Sequence, residues 1–190
     1  EVLYDEEAIS KAPPKIRDQV RSWMACKLHL EFPEGMSVVL ANPGIFDEDV
    51  APFVTAPMQK FLAQRKKELE AGWSNDGGLV IPIQEIADRA VFWDHFLVEN
   101  PTFVSVAFIR GLARNYAMDL ILGLDNTPAL GYEDDGALDK EFKDAYDKVL
   151  KDHPKTETAH LVQKWSDLLK QYVWKRSPKT DAHATKLVGL

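Results

Sequence analysis

Two pairs of side chains have the spacing that chemistry needs. His95 and Glu99 lie four residues apart and would share one face of a helix, with Asp94 alongside His95. A general acid–base pair needs such groups in a cleft that perturbs their pKa values. Neighbours in sequence do not face each other on a helix, so Asp94 does not complete a triad with them. Glu157 and His160 form a Glu-x-x-His step, as in di-iron helix bundles, which use that step twice with two further glutamates. Here it occurs once, and the plain expectation is a solvated helix start. Both histidines are therefore expected at the surface or partly buried, with no metal and no catalytic role.

The remaining reactive types are isolated. Cys26 is the only cysteine, so there is no internal disulfide and no zinc site built on cysteine pairs. It adjoins Lys27 with no identifiable base to activate a nucleophile, and reads as a thiol buried in a helix. Gly77-Gly78 is too short to be a phosphate-cradling loop, and no serine sits in a nucleophile elbow. No cofactor is implied, and the chain is expected not to be an enzyme.

The sharper feature is an anchor. Trp174 is nine residues beyond Trp165, which at about 100° per residue places it on the opposite helix face. With Trp165 in the core, Trp174 would point outward among Lys170, Lys175, Arg176 and Lys179. Exposed tryptophan beside arginine is the composition of an interface hot spot. Basic residues with aromatics also suit single-stranded nucleic acid. The formal net charge of −7 argues against that partner, and a basic helix end complementing the helix dipole accounts for the cluster.

Periodicity supplies the elements that would hold these groups. Pro13-Pro14 opens a helix carrying Ile16, Val20, Trp23, Met24 and Leu28, closed by Pro33. Residues 33–46 read as irregular, with a turn at Asn42-Pro43-Gly44. Val38, Val39 and Leu40 could make a strand, but no partner is evident. A helix over 57–71 shows Met58, Phe61, Leu62 and Leu69 on one side, with Gln64 to Lys67 and Glu68 on the other, and Gly72 stops it. Residues 73–78 are a glycine-rich loop.

The next helix, from Pro82 to Glu99, presents Ile83, Ile86, Ala90, Trp93 and Leu97. Asn100 reads as the N-cap of a following helix with Pro101 at its first position. Val104, Phe108, Leu112, Tyr116 and Leu120 form its ladder, on one helix or on two that bend near Arg114-Asn115. After the loop 126–136 comes a helix over 138–150 with Phe142, Tyr146, Val149 and Leu150 inward, broken at His153-Pro154. The last helix carries Leu161, Val162, Trp165, Leu168, Leu169, Tyr172 and Val173, and Ser177-Pro178 ends it. These elements predict an all-α fold of six or seven helices in antiparallel hairpins, as one domain over 1–178 with an extended tail over 179–190.

Hairpins of similar length invite a search for a repeat. Phe61-Leu62 recurs as Phe96-Leu97 at a spacing of 35, and Phe108 and Leu112 recur as Phe142 and Tyr146 at 34. Tetratricopeptide and pentatricopeptide hairpins repeat near that length. The stretch from Phe108 through Arg110, Ala113, Tyr116 and Ala117 to Leu120 resembles a degenerate pentatricopeptide unit whose first helix would end near Arg114. The resemblance covers about a third of the chain and departs after Leu124, where a long acidic loop replaces a short connection.

RNA-reading members of that family are long and basic. A chain of 190 residues with an acidic balance is more similar to a protein-binding offshoot, the type of small helical subunit attached to the catalytic head of mitochondrial ATP synthase in kinetoplastids and their relatives. The resemblance implies a non-catalytic accessory subunit, the ATP synthase alpha subunit as partner, the mitochondrial matrix as location, and no nucleic acid. The start at Glu1 fits a removed transit peptide as well as a trimmed end. The best candidate for a membrane span, 103–124, carries Arg110, Arg114 and Asp119, which lipid would not tolerate. The alternatives are an RNA-binding helical-repeat protein, and a small helical enzyme or metal protein using His95 with Glu99 or Glu157 with His160.

Overall fold

In the computed structural model, which describes residues 6–26, 28–31, 38–41, 50–132 and 136–188, the fold is all-α with three small two-stranded pairings. The chain divides into two compact units, at Gly72 and Trp73, where one domain was expected.

The first unit contains α1 (Glu6–Lys11), α2 (Pro14–Ala25), β1 (Leu28–Glu31), β2 (Val38–Ala41), a 3-10 turn (Ala51–Phe53) and α3 (Ala56–Ala71). Pro14 opens α2 as its residue type predicts. Leu28, expected on that helix, instead begins β1. Its strand supplies the missing partner for β2, antiparallel in the register Leu28 to Ala41 and Glu31 to Val38. The predicted closure at Pro33 and the turn at Asn42-Pro43-Gly44 lie outside the described residues. On α3 the expected faces are partly exchanged: Leu69 is exposed, and Glu68 is buried. Its carboxylate is held by Arg65 at 2.6 Å and by the Gln64 amide at 2.9 Å, the pairing that a buried charge requires.

The second unit begins with the short strands β3 (Ser74–Asn75) and β4 (Gly78–Leu79), followed by α4 (Ile83–Glu99) and α5 (Val106–Leu122). Next come β5 (Gly123–Leu124) and β6 (Thr127–Pro128), then α6 (Lys140–Asp152), α7 (Glu157–Gln171) and α8 (Pro178–Val188). Helix α4 is the axis of this unit and packs on α5, α6 and α7. Three neighbours bury it nearly all round, so Arg89 and Asp94 are enclosed with Ile86, Ala90, Trp93 and Phe96. Arg89 pairs with Glu85 at 3.2 Å one turn earlier and lies over the Tyr116 ring.

Helix α5 is continuous, without the break foreseen near Arg114. Its buried stripe is Ile109, Ala113, Tyr116, Ala117, Leu120 and Ile121, so the upper part of the expected ladder, Val104 and Phe108, faces water. Asn100 caps the end of α4 rather than the start of α5: its backbone N–H and its side-chain amide both donate to the Phe96 carbonyl. The stripes of α6 and α7 agree with the reading in Phe142, Tyr146, Val149, Val162, Trp165 and Leu169.

Residues 178–188 are helical, not extended. Ser177 and Thr180 cap this helix reciprocally, Thr180 N–H donating to the Ser177 hydroxyl at 3.1 Å and Ser177 N–H to the Thr180 hydroxyl at 2.7 Å. Pro178 thus opens α8 as well as following α7, and α8 packs on α7 and α5 with Ala184 buried.

The two short hairpins interlock. Asp76 and Gly77 both adopt positive φ, the conformation of a tight two-residue turn between β3 and β4. The Asn126 backbone N–H donates to the Gly77 carbonyl at 2.8 Å, and Leu79 N–H to the Thr127 hydroxyl at 3.0 Å. Gly77-Gly78 therefore belongs to a structural turn.

Candidate functional site

The predicted polar pairs are rearranged by the fold. His95 is exposed on α4, and its ring meets His153, 58 positions away, with Nε2 and Nδ1 3.4 Å apart and the rings edge to face. His153 ends α6, where its N–H donates to the Val149 carbonyl, and its own carbonyl accepts from the Thr156 N–H and hydroxyl. Glu99 is exposed one turn beyond His95, and Glu157 and His160 are exposed on the first turn of α7. Among the described residues no group of three or more His, Cys, Asp and Glu side chains gathers in one place.

Asp94 has a different task. Its carboxylate accepts the Thr158 backbone N–H at 2.7 Å, so a residue of α4 caps the start of α7. Thr156 supplies the local cap by accepting from Ala159 N–H. Burial raises the Asp94 pKa. The hydrogen bonds from Thr158 and the nearby His95 pull it back, while Glu157 adds to the rise.

A second perturbed carboxyl lies on α5. Asp119 is pushed up to about 6, chiefly by burial and against the hydrogen bond from the Trp73 indole. Trp73 meets the Tyr116 ring edge-on at 6.0 Å. Cys26, expected in a helix interior, is exposed just past α2.

The basic and aromatic cluster exists, but Trp174 is not carried on the outer face of a helix. Helix α7 ends at Gln171, and Val173 and Trp174 adopt positive φ, so Trp174 does not continue the helix. It is half-buried, with Lys143 over its ring at 5.4 Å, and its carbonyl accepts from Leu138 N–H. Lys170 pairs with Asp167, and Lys175 is exposed, its backbone bridging to Ala137.

Arg176 stacks on the exposed Tyr132 ring at 4.5 Å and pairs with Asp181 at 3.2 Å. Burial works against its charge, but hydrogen bonds with Tyr132 and Asp181 leave its pKa raised. Its backbone N–H donates to Gly136, whose positive φ and closeness to Arg176 suit glycine. Below this rim lies an open hollow of about 350 Å³, walled by Leu124, Leu130, Tyr132, Trp165, Arg176 and Asp181. Lys143 and Tyr132 join the cluster through tertiary folding, and nothing in their local sequence signals it.

The clearest unsatisfied surface is on the first unit. Among its described residues only Ile9, Leu62 and Glu68 are buried, and α2 buries none of its stripe. Ile16 is 56% exposed and Phe53 85%. No described helix is long and apolar enough to cross a membrane. Comparison with protein-family models, with curated proteins and with solved structures finds no match for this chain.

Proposed function

We propose that the protein is a non-catalytic accessory subunit that docks on a larger assembly through protein–protein contacts. The observation that carries this reading is the exposed apolar surface of the first unit, Ile16 on α2 and Phe53 on the 3-10 turn, with Val20, Trp23 and Met24 of the α2 stripe only half-buried. Helices of globular proteins bury such a stripe, and large exposed apolar patches mark interaction surfaces. The rim of Tyr132, Trp174, Lys175 and Arg176 adds the residue types that anchor interfaces, with the exposed lysine at its edge setting register.

The reading extends to a candidate assembly, the catalytic head of mitochondrial ATP synthase, with its alpha subunit as partner and the mitochondrial matrix as location. The acidic balance and the all-α fold support it. The continuous course of α5 does not, because a pentatricopeptide unit would turn near Arg114.

The test is native purification from the source cell with mass spectrometry of what stays bound, repeated with an Ile16→Asp, Phe53→Asp variant. Fixed-ratio co-purification with a large complex, lost in the variant while thermal stability is kept, supports docking through the first unit. ATP synthase subunits in the bound fraction would identify the assembly. A monodisperse 21.5 kDa chain with nothing attached overturns the reading.

A further inference from the structure

We propose that His95 and His153 form a two-imidazole site for a divalent first-row transition-metal ion of zinc type. The geometry is that of two ligands on one ion. Zinc binds imidazole nitrogen at about 2.0–2.1 Å in a tetrahedral shell, which sets neighbouring nitrogens about 3.4 Å apart. The facing nitrogens, Nε2 of His95 and Nδ1 of His153, are separated by 3.4 Å. The rings are inclined at 68° with centroids 5.6 Å apart, so their faces do not stack.

Both backbones are held before any ion arrives. His95 lies between buried Asp94 and buried Phe96 on the central helix, and His153 is fixed by its bonds to Val149 and Thr156. The exposure of His95 gives an ion access. With no third protein ligand gathered among the described residues, water or a docked partner's side chain completes the shell. Imidazole donors favour zinc, copper and nickel over magnesium or calcium. A bound ion would tie α4 to the connection between α6 and α7.

The experiment is equilibrium dialysis of the full chain against Zn²⁺ at neutral pH, with a thermal melt at each metal concentration. The expected result is one zinc per chain and a rise in melting temperature that a chelator reverses. Both should be lost, with at least ten-fold weaker binding, in His95→Ala and in His153→Ala, and retained in His160→Ala. His95 is exposed and His153 half-buried, and circular dichroism of the variants checks that they fold. Absence of stoichiometric zinc, or binding that survives either substitution, overturns the proposal and leaves the contact as an ordinary hydrogen bond between two imidazoles.

Discussion

Replacing Asp119 with asparagine should stabilise the protein, and only above pH 5. The carboxyl lies near the end of α5 under Trp73, and burial lifts its pKa from 3.8 to about 6. The folded state therefore holds the Asp119 proton more tightly than the unfolded chain does. Its favourable contribution is fully present below the unfolded pKa near 4. It falls as pH rises toward 6, and is gone above, where the ionised carboxylate is buried at a cost. A rise from 3.8 to about 6 corresponds to about 3 kcal/mol. Asp119 keeps part of its surface in water, so about 1–2 kcal/mol is the realistic size. Asparagine retains a carbonyl to accept the Trp73 indole N–H and cannot ionise. Urea denaturation of both proteins from pH 4 to pH 8 would measure the difference. The variant should gain about 1–2 kcal/mol at pH 8 and nothing at pH 4. A difference that does not change with pH, or a variant less stable at pH 8, would refute the assignment of the shift to burial.

Two further substitutions address the fold. Asp94→Ala leaves the Thr158 N–H at the start of α7 without its carboxylate and should cost about 2–3 kcal/mol in a denaturant titration, with Asp94→Asn losing less. Two glycines of one segment should respond with opposite sign. Gly123→Ala, at φ +72 with its Cβ position 2.8 Å from Pro128 Cα and closer still to the Thr127 carbonyl, should lose at least about 2 kcal/mol. Gly111→Ala, in the interior of α5 with open space around it, should gain about 0.5–1 kcal/mol by helix propensity. Denaturation midpoints of the two variants decide it.

The parts of the fold legible in the sequence are those set by local periodicity. The buried faces of α4, α6 and α7 follow from apolar residues three and four apart. Misread positions depend on partners distant in the chain. Asp94 looks like a polar flank until α7 arrives over it, and Val104 and Phe108 continue the apolar ladder of the sequence yet face water. Pro178 is ambiguous in principle, because proline both follows one helix and begins another. The reciprocal hydroxyl bonds of Ser177 and Thr180 resolve it.

The candidate site was legible only as a set of residue types. The pairing of His95 with His153 across 58 positions has no local signature, and the anchor at Trp174 depends on a left-handed turn that periodicity does not reveal. The helix expected to continue through Val173 stops at Gln171.

The interlocked hairpins have a consequence for how the second unit assembles. The bonds from Asn126 to the Asp76–Gly77 turn join points 50 residues apart, and the chain between them is the α4–α5 pair. That pair is thereby a closed loop. Closing such a loop costs only slowly more entropy as it lengthens, so the tip at 100–105 can accept extra residues at small thermodynamic cost. Once the fastener is made, a break in the chain at the tip would leave the two helices still tethered at their other end. The α4–α5 pair is in this sense a cassette, held at its base and open to insertion at its tip.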